Sequence, residues 1–412
     1  MIAFGCRRLA AIAIVLGAGF AVPTTAGVAQ EVTAEAPAVT TLREASERAA
    51  LLLPDLAAGQ ASRDQFAAQR RAARGPFVGP PVVSGNIEIG RDGIGEQEAG
   101  ISAGLRWPGE GRAAQLSADL GRDVVDATQG AARLALAGQV RAAWWALASA
   151  RAAVAVERAQ AGVADQELVA VTRLVDAGVQ ARRDLLLAQG ERAAVRARLS
   201  AAETDAVGAR AAYEALAGRP PEAFPAEVPA VSGIGIDEHP EMRAASARAA
   251  AAEANAAALR FGSRPRVNGS VGVRRERGGV RDEYASALLV GIGVPIGRDY
   301  TAAAATAGAR SQAIRATAEA VLVRRRLVAE RSAGEQRLAM TRRAAQEARQ
   351  RRDVLSEALA LTERGRREGE LGFIEALRAR QALFAASRDL AVADVAASAA
   401  ISTFNQAQGV LP

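Results

Sequence analysis

Few residues in this 412-residue chain are of a type that does chemistry. The only histidine, His239, stands directly before Pro240, and the only cysteine is Cys6. One imidazole and one distant thiol cannot supply the three or four ligands that zinc or copper takes from such side chains. His239-Pro240 reads instead as a helix start, where proline suits the first helical position. The run Gly291-Ile292-Gly293-Val294-Pro295-Ile296-Gly297 follows an alternating segment, as a dinucleotide-binding loop would. Its last glycine comes one residue late and a proline interrupts it, so nucleotide binding is not expected. Carboxylates are numerous, but most stand near arginines at helical spacing and read as solvated ion pairs. Trp144-Trp145 are expected to fill helix contacts rather than stack a ligand. No catalytic, cofactor-binding or metal-ligating residue is assigned. The chain is expected to be no enzyme, and to bind neither zinc nor copper tightly.

The N-terminus carries Arg7 and Arg8, an apolar run from Leu9 to Phe20, and small residues ending Gly27-Val28-Ala29. This is the layout of a secretory signal over 1–29, cleaved after Ala29. The residues after Arg7-Arg8 do not support a twin-arginine signal. Cys6 is expected to leave with the signal, so no acylated cysteine and no disulfide remain. No later segment reaches the roughly 18 apolar residues of a spanning helix, because arginines interrupt every alanine-rich stretch. Any membrane crossing must use strands. Aromatics make up 4% of the chain, which suits long helices packed through small side chains better than a thick core. The net charge of +7 comes entirely from arginine on the basic side, with no lysine. Those arginines are spread, interleaved with acids and not mixed with aromatics, which argues against nucleic acid.

The elements repeat with a period of roughly 187 residues: Leu53-Pro54-Asp55-Leu56 answers to His239-Pro240-Glu241-Met242, and Gly178 with Asp184 answers to Gly369 with Glu375. Each copy reads helix, strand, strand, very long helix, tight turn, helix. The predicted domains are a linker at 30–40, a first repeat at 41–217, a second linker at 218–237 and a second repeat at 238–412. Strands are expected at 82–90, 98–107, 267–275 and 285–296. In the second, Ala99, Ile101, Ala103, Leu105 and Trp107 alternate with Gly100, Ser102, Gly104 and Arg106. Each strand is about the length that spans a bilayer when tilted, with glycine-rich charged loops at 91–97 and 275–283. Trp107, Tyr284 and Tyr300 fall at strand ends, where an aromatic membrane girdle is expected. Between strands and turn, Arg112 to Asp176 and Thr301 to Arg364 each predict one helix on the order of 100 Å. In the first, Val140, Leu147, Val154, Ala161, Leu168 and Val175 recur every seven residues, a coiled-coil seam. The stretches 41–73 and 182–217 are each about half as long, so two stacked end to end match one long helix. Four strands cannot enclose an aqueous lumen; twelve from three copies can.

With LPDLAAGQASRDQFAAQRRAA before the first strand pair, AGVQARRDLLLAQ at the first helical turn and EGELGFIEALRARQ at the second, the chain resembles the TolC-like outer-membrane efflux proteins over nearly its whole length. No single motif carries the likeness; the arrangement does. Within the family it is most similar to the branch serving heavy-metal efflux. The resemblance implies a mainly α protein with membrane strands, a homotrimer with a twelve-stranded β-barrel in outer-membrane lipid and a long periplasmic α-barrel. It further implies a passive conduit opened by a periplasmic adaptor and driven by an inner-membrane pump of the resistance-nodulation-division type. A periplasmic adaptor would share the leader and the coiled coil, but it should show one hairpin between β-rich domains, whereas this chain shows two. A channel for type I protein secretion is not separated from solute efflux by any residue.

If the strands lie in the outer membrane, the turns at Gly178 and Gly369 form the opposite, periplasmic mouth. Asp176, Gly178, Gln180, Asp184, Glu368, Gly369, Leu371, Gly372 and Glu375 are the candidate tip and gate residues. Asp184 and Glu375 could line a constriction favouring cations, or be first-turn carboxylates stabilising helix N-termini. For adaptor contact the glycines and exposed turn side chains, Gln180 and Leu371 included, are the better candidates.

Overall fold

The computed structural model describes residues 41–412 except 53, 91–94, 231–233, 280 and 298. The secretory signal at 1–29, Cys6 and the linker at 30–40 lie outside the described residues, as do parts of the 91–97 loop and the second linker. The described residues open with α1 (Leu42–Ala50), whose first turn is capped by Thr41 Oγ1 accepting from the Glu44 amide at 3.2 Å. The single helix expected over 41–73 is two: α2 (Pro54–Ala72) starts afresh at Pro54. Proline disfavours the helical conformation at the residue before it, so the chain breaks there.

Four strands follow in two pairs, β1 (Phe77–Ile89) with β2 (Gly95–Leu105), and β3 (Asn268–Arg277) with β4 (Ala285–Gly293). They form one antiparallel sheet in the order β1-β2-β3-β4. Strand β1 starts five residues before the expected Val82 and takes in Pro80 and Pro81, across a register shift between Val78 and Val82. Prolines donate nothing to a ladder and are tolerated at a bulge on an edge strand, which is what β1 is. Strand β4 ends at Gly293, short of the expected Ile296, opposite Asn268 where β3 begins.

The long helices are α3 (Glu110–Asp176) and α6 (Tyr300–Arg367), of 67 and 68 residues and so about 100 Å each. Asp299 caps α6, its carboxylate accepting from the Thr301 and Ala302 amides at 2.9 and 3.0 Å. Those bonds hold its carboxyl below the usual carboxylate range. Each long helix is flanked by two shorter ones stacked along it. Along α3, α2 covers the strand-side half (Arg63 to Asp126, 2.7 Å; Arg70 to Asp119, 2.9 Å), and α4 (Arg182–Ala217) the other (Arg158 to Glu203, 2.8 Å). Along α6, α5 (Pro240–Leu259) and α7 (Phe373–Ala407) do the same, with Thr317 to Glu253 at 3.3 Å and Arg351 to Asp389 at 2.7 Å. Helix α3 also packs on α5 and α7. The lateral order is therefore α2-α3-α5-α6 near the sheet and α4-α3-α7-α6 near the turns, with α6 at one edge throughout.

The thickest core sits at mid-height, where the short helices meet end to end. Val140, Trp144, Trp145 and Leu147 of α3 pack there with Leu42, Ala45 and Ala49 of α1 and with Tyr213 and Ala217 of α4. Trp144 meets Phe224 edge-on at 5.3 Å, and Trp145 Nε1 donates to Ser402 Oγ at 2.8 Å, so both tryptophans fill helix contacts. Burial pushes the Tyr213 hydroxyl up to about 12. A polar knot fastens the second linker to the same level. Arg141, almost fully buried, donates to both Glu227 carboxylate oxygens at 2.7 and 3.0 Å, to Gln406 Oε1 at 2.6 Å and to the Val410 carbonyl at 3.0 Å. Asn405 pairs with the backbone of Val228 and Ala230 at 3.0 and 2.9 Å.

His239 is the N-cap of α5, with Pro240 at the first helical position, and is 1% exposed. Its Nδ1 accepts from the Glu241 amide at 3.2 Å, which requires the neutral ring. Burial, ahead of every other influence, holds its pKa below the ordinary histidine range. Arg331 and Arg326 push the same way, while Glu241 and the Gln406 backbone oppose them. With the folded-state pKa depressed, the stabilisation is complete above the unfolded histidine's pKa and is lost as pH falls through it. Because the chain has no other histidine, a fall in melting temperature between about pH 7 and 5 is expected to trace to this residue. In His239→Asn, whose side-chain oxygen replaces Nδ1 as the capping acceptor, that slope should flatten; an unchanged slope excludes the assignment.

Candidate functional site

The register of the sheet sorts its side chains onto two faces. Val83, Ile101, Val271 and Val290 stand side by side in one cross-strand row. Two residues along, Gly85, Ala99, Val273 and Leu288 form the next row of the same face. Ala103, Gly269 and Ile292 continue that face toward the helices. The apolar side chains are bare: Val83, Val290 and Ile292 are 77%, 72% and 76% exposed. The opposite face carries Val82, Ser102, Ser270 and Gly291 in one row and Asn86, Glu98, Arg274 and Ala287 in another. At its turn end Glu88, Glu96 and Glu276 stand in register. Arg274 reaches Glu96 at 3.4 Å and Glu276 at 3.6 Å. One face is thus oily across all four strands and the other wet, although neither is covered. Each strand of about ten residues is long enough to span a bilayer at a tilt. Among the described residues, no helix is long and apolar enough to cross a membrane.

The three aromatics at strand ends lie at both ends of the sheet. Trp107, just past β2, faces the Arg264 guanidinium at 6.0 Å on the helix side, and Tyr300, 79% exposed, opens α6. Tyr284 precedes β4 on the turn side.

At the far ends of the long helices the two turns are built alike. Gly178 and Gly369 hold φ of +72° and +81°, a region open to glycine and strained for other residues. After α3 the Val179 amide reaches back to the Leu174 carbonyl at 2.9 Å and Gly178 to Val175 at 3.0 Å. After α6 Glu370 reaches Gly365 at 2.9 Å and Gly369 reaches Arg366 at 3.3 Å. This pair of bonds terminates helices by satisfying their last carbonyls. Asp176, Glu368 and Gly369 are exposed at these tips. Leu371, 40% exposed, folds over Gly365, where a Cβ would meet its Cδ1 at 3.0 Å.

Asp184 and Glu375 occupy the same third position of α4 and α7 but differ in surroundings. Glu375 is exposed and lies over Gly372. Asp184 is 7% exposed, with Arg183 at 3.5 Å as its ion partner and Oδ1 buried without a hydrogen bond. In the single protomer it is therefore not the open lining group that the turn position suggested. Gln180 likewise is half-buried, not an exposed turn side chain, and its Oε1 has no hydrogen bond. The reason is local packing: Val171, Ala188 and Phe373 form a small core under this turn, drawing α4 against α3 and α7.

Above the tips, a group of ion pairs with no local signature in the sequence ties the two hairpins together. Arg380 of α7 pairs with Glu167 of α3 and, at 2.9 Å, with Glu363 of α6; Arg366 approaches Glu167 at 3.4 Å. Glu157, 5% exposed, is shared between Arg198 of α4 at 3.4 Å and Arg388 of α7 at 3.1 Å. The partners are up to some 230 residues apart, so helical spacing within a single element gave no signal for them. Among the described residues no group of three or more His, Cys, Asp or Glu side chains could hold a metal ion.

No protein-family model and no curated protein matches the sequence. Solved structures do match. The outer membrane protein VceC from Vibrio cholerae superposes with a TM-score of 0.72 at 19% identity, over 90% of this chain and 96% of that one. CusC, described with its conformational changes on folding and transmembrane channel formation, gives 0.74 at 16% identity over 90% and 92%. The open state of the MtrE outer membrane channel from Neisseria gonorrhoeae gives 0.70 at 19% identity over 90% and 89%. The chain has the fold of the outer-membrane channels. Coverage of nine-tenths of this chain makes the likeness one of the whole fold rather than of a single part. At such identities the likeness is one of fold, and no residue role passes across with it.

Proposed function

We propose that the protein is the channel subunit of a tripartite efflux system: three copies close a twelve-stranded barrel in the outer membrane and carry solutes passively. A periplasmic adaptor and an inner-membrane pump complete the system. The observation that carries this reading is the apolar face continuous over β1-β2-β3-β4, exposed in the protomer and backed by a polar face. Lipid outside and water inside would cover the two faces in kind. Closure is supported by the edges. Strand β1 runs away from the helices toward the strand-connecting loops and β4 runs back from those loops toward the helices, so β4 of one copy can pair antiparallel with β1 of the next. On the same two sides lie α2 with α4, and α6. Helix α6 carries a second exposed apolar stripe, Ile314, Val321 and Val328 at heptad spacing with Val354 and Leu361 beyond, which another copy's helices would bury. In this arrangement the glycine turns form the periplasmic mouth where an adaptor docks.

The reading is tested by the mature protein purified in detergent and added to a planar bilayer. Discrete conductance steps and a trimeric mass are expected; a monomer without conductance overturns it. The same recordings separate two roles for the tip carboxylates. If Asp184 or Glu375 lines the constriction, Asp184→Ala or Glu375→Ala changes conductance or cation selectivity at unchanged thermal stability. If they serve their helix N-termini, stability falls and the open-channel properties stay as they were.

A further inference from the structure

The apolar face ends abruptly on the turn side. One row beyond Val273 and Leu288, about 7 Å along the strand, Ile87, Gln97, Arg275 and Ser286 stand in register, and Ile89, Gly95 and Arg277 follow. With strands tilted by roughly 40°, the first arginine lies only about 5 Å past the apolar rows in depth. Both guanidinium groups rest on a single ring: Arg275 and Arg277 are each 5.1 Å from the centroid of Tyr284. Gly95 makes room for the cluster, since a Cβ there would meet the Tyr284 hydroxyl at 3.2 Å and Arg277 Nε at 3.4 Å. Two guanidinium groups thus stand at one ring, and among the described residues Arg275 has no acidic partner. The strand's acids serve the other face, where Glu96 and Glu276 flank Arg274. Asp282 of the turn lies against Gly278 and Gly279. Beside the arginines, Ile87 and Ile89 are 70% and 82% exposed.

We propose that Arg275, Arg277 and Tyr284 bind the phosphate of a lipid headgroup at the turn-side boundary of the bilayer, with Ile87 and Ile89 against its acyl chains. The inference rests on the reading that the apolar face meets lipid. An arginine fork matches phosphate in shape and charge. A tyrosine at this level is suited to the boundary between hydrocarbon and headgroups. The anion supplies the exposed Arg275 guanidinium with a counter-charge, and the isoleucines favour a phosphate attached to a lipid over a free one.

The test is native mass spectrometry of the mature protein in micelles doped with diphosphorylated lipid A or with its dephosphorylated form. Retention of the phosphorylated lipid is expected to fall about tenfold, the equivalent of some 1.4 kcal/mol, in the Arg275→Gln, Arg277→Gln double variant. Arg274→Gln, at the same height on the opposite face, should retain it as the unaltered protein does. The dephosphorylated lipid should bind weakly, and millimolar inorganic phosphate should not displace the phosphorylated one. Equal retention by the double variant, an equal loss in Arg274→Gln, or displacement by inorganic phosphate overturns the proposal. Should the double variant fail to fold, Arg275→Gln alone, at an exposed position, replaces it in the same comparison. Flotation with liposomes separates the two levels of inference. Protein that floats but holds lipid A independently of the arginines loses the headgroup site alone, whereas protein that does not float loses the lipid-facing reading as well.

Discussion

Ile101→Arg and Val290→Arg are each expected to cost roughly 2 to 4 kcal/mol and to block membrane insertion, whereas Ser102→Arg is tolerated. Ile101 and Val290 share a row with Val83 and Val271 on the exposed apolar face, and Ser102 is one residue from Ile101 but on the face with Ser270 and Gly291. A guanidinium at mid-strand among hydrocarbon has no water to solvate it, while on the polar face it joins an aqueous surface. The contrast is read as the fraction of each variant that co-floats with liposomes and keeps a folded band on a heated gel. Equal tolerance at Ile101 and Ser102 would remove the assignment of the faces.

Arg141→Ala is expected to destabilise the protein by about 3 to 5 kcal/mol, because it strands Glu227 as a buried charge. Arg141 is 4% exposed and Glu227 11% as side chains, and the same guanidinium serves Gln406 and the Val410 carbonyl. The loss should appear as a lower melting temperature together with faster proteolysis within 218–237, since the linker loses its fastening to α3. Arg158→Ala is the counterpart. Its pairing with Glu203 is 67% and 48% exposed, and removing it should change stability by no more than about 1 kcal/mol. Similar effects at the two sites would mean that the knot at mid-height contributes nothing special.

What the sequence revealed and what it concealed divide along the range of the interactions. The strands and long helices were legible because alternation at Ile101 or Val290 and an uninterrupted run up to Asp176 are local patterns. Gly178 and Gly369 were legible as helix stops for the same reason, and both hold positive φ. The break of 41–73 into two helices was hidden, although Pro54 stood there to be weighed, because the alanine-rich pattern runs through it. The extension of β1 over Pro80 and Pro81 depends on its place at the sheet's edge, which no local pattern specifies. The burial of Asp184 comes from Phe373 and Val171 packing beneath the turn, a contact between halves of the chain. Likewise Arg380 meets Glu167 across more than two hundred residues.

The free borders of β1 and β4 have a consequence for biogenesis. Each presents unpaired amide and carbonyl groups, and hydrocarbon offers such groups no partner, at a cost of several kcal/mol for every one left bare. In the proposed trimer a lone protomer would therefore not settle into a bilayer by stages; its borders would first be closed by others like it. Encounter between chains then precedes entry into lipid, so the speed at which inserted material accumulates should climb more steeply than in proportion to the amount of newly exported chain. On that reading, at low supply the sheet would wait in the aqueous compartment with its edges exposed, a target for proteases and holding chaperones.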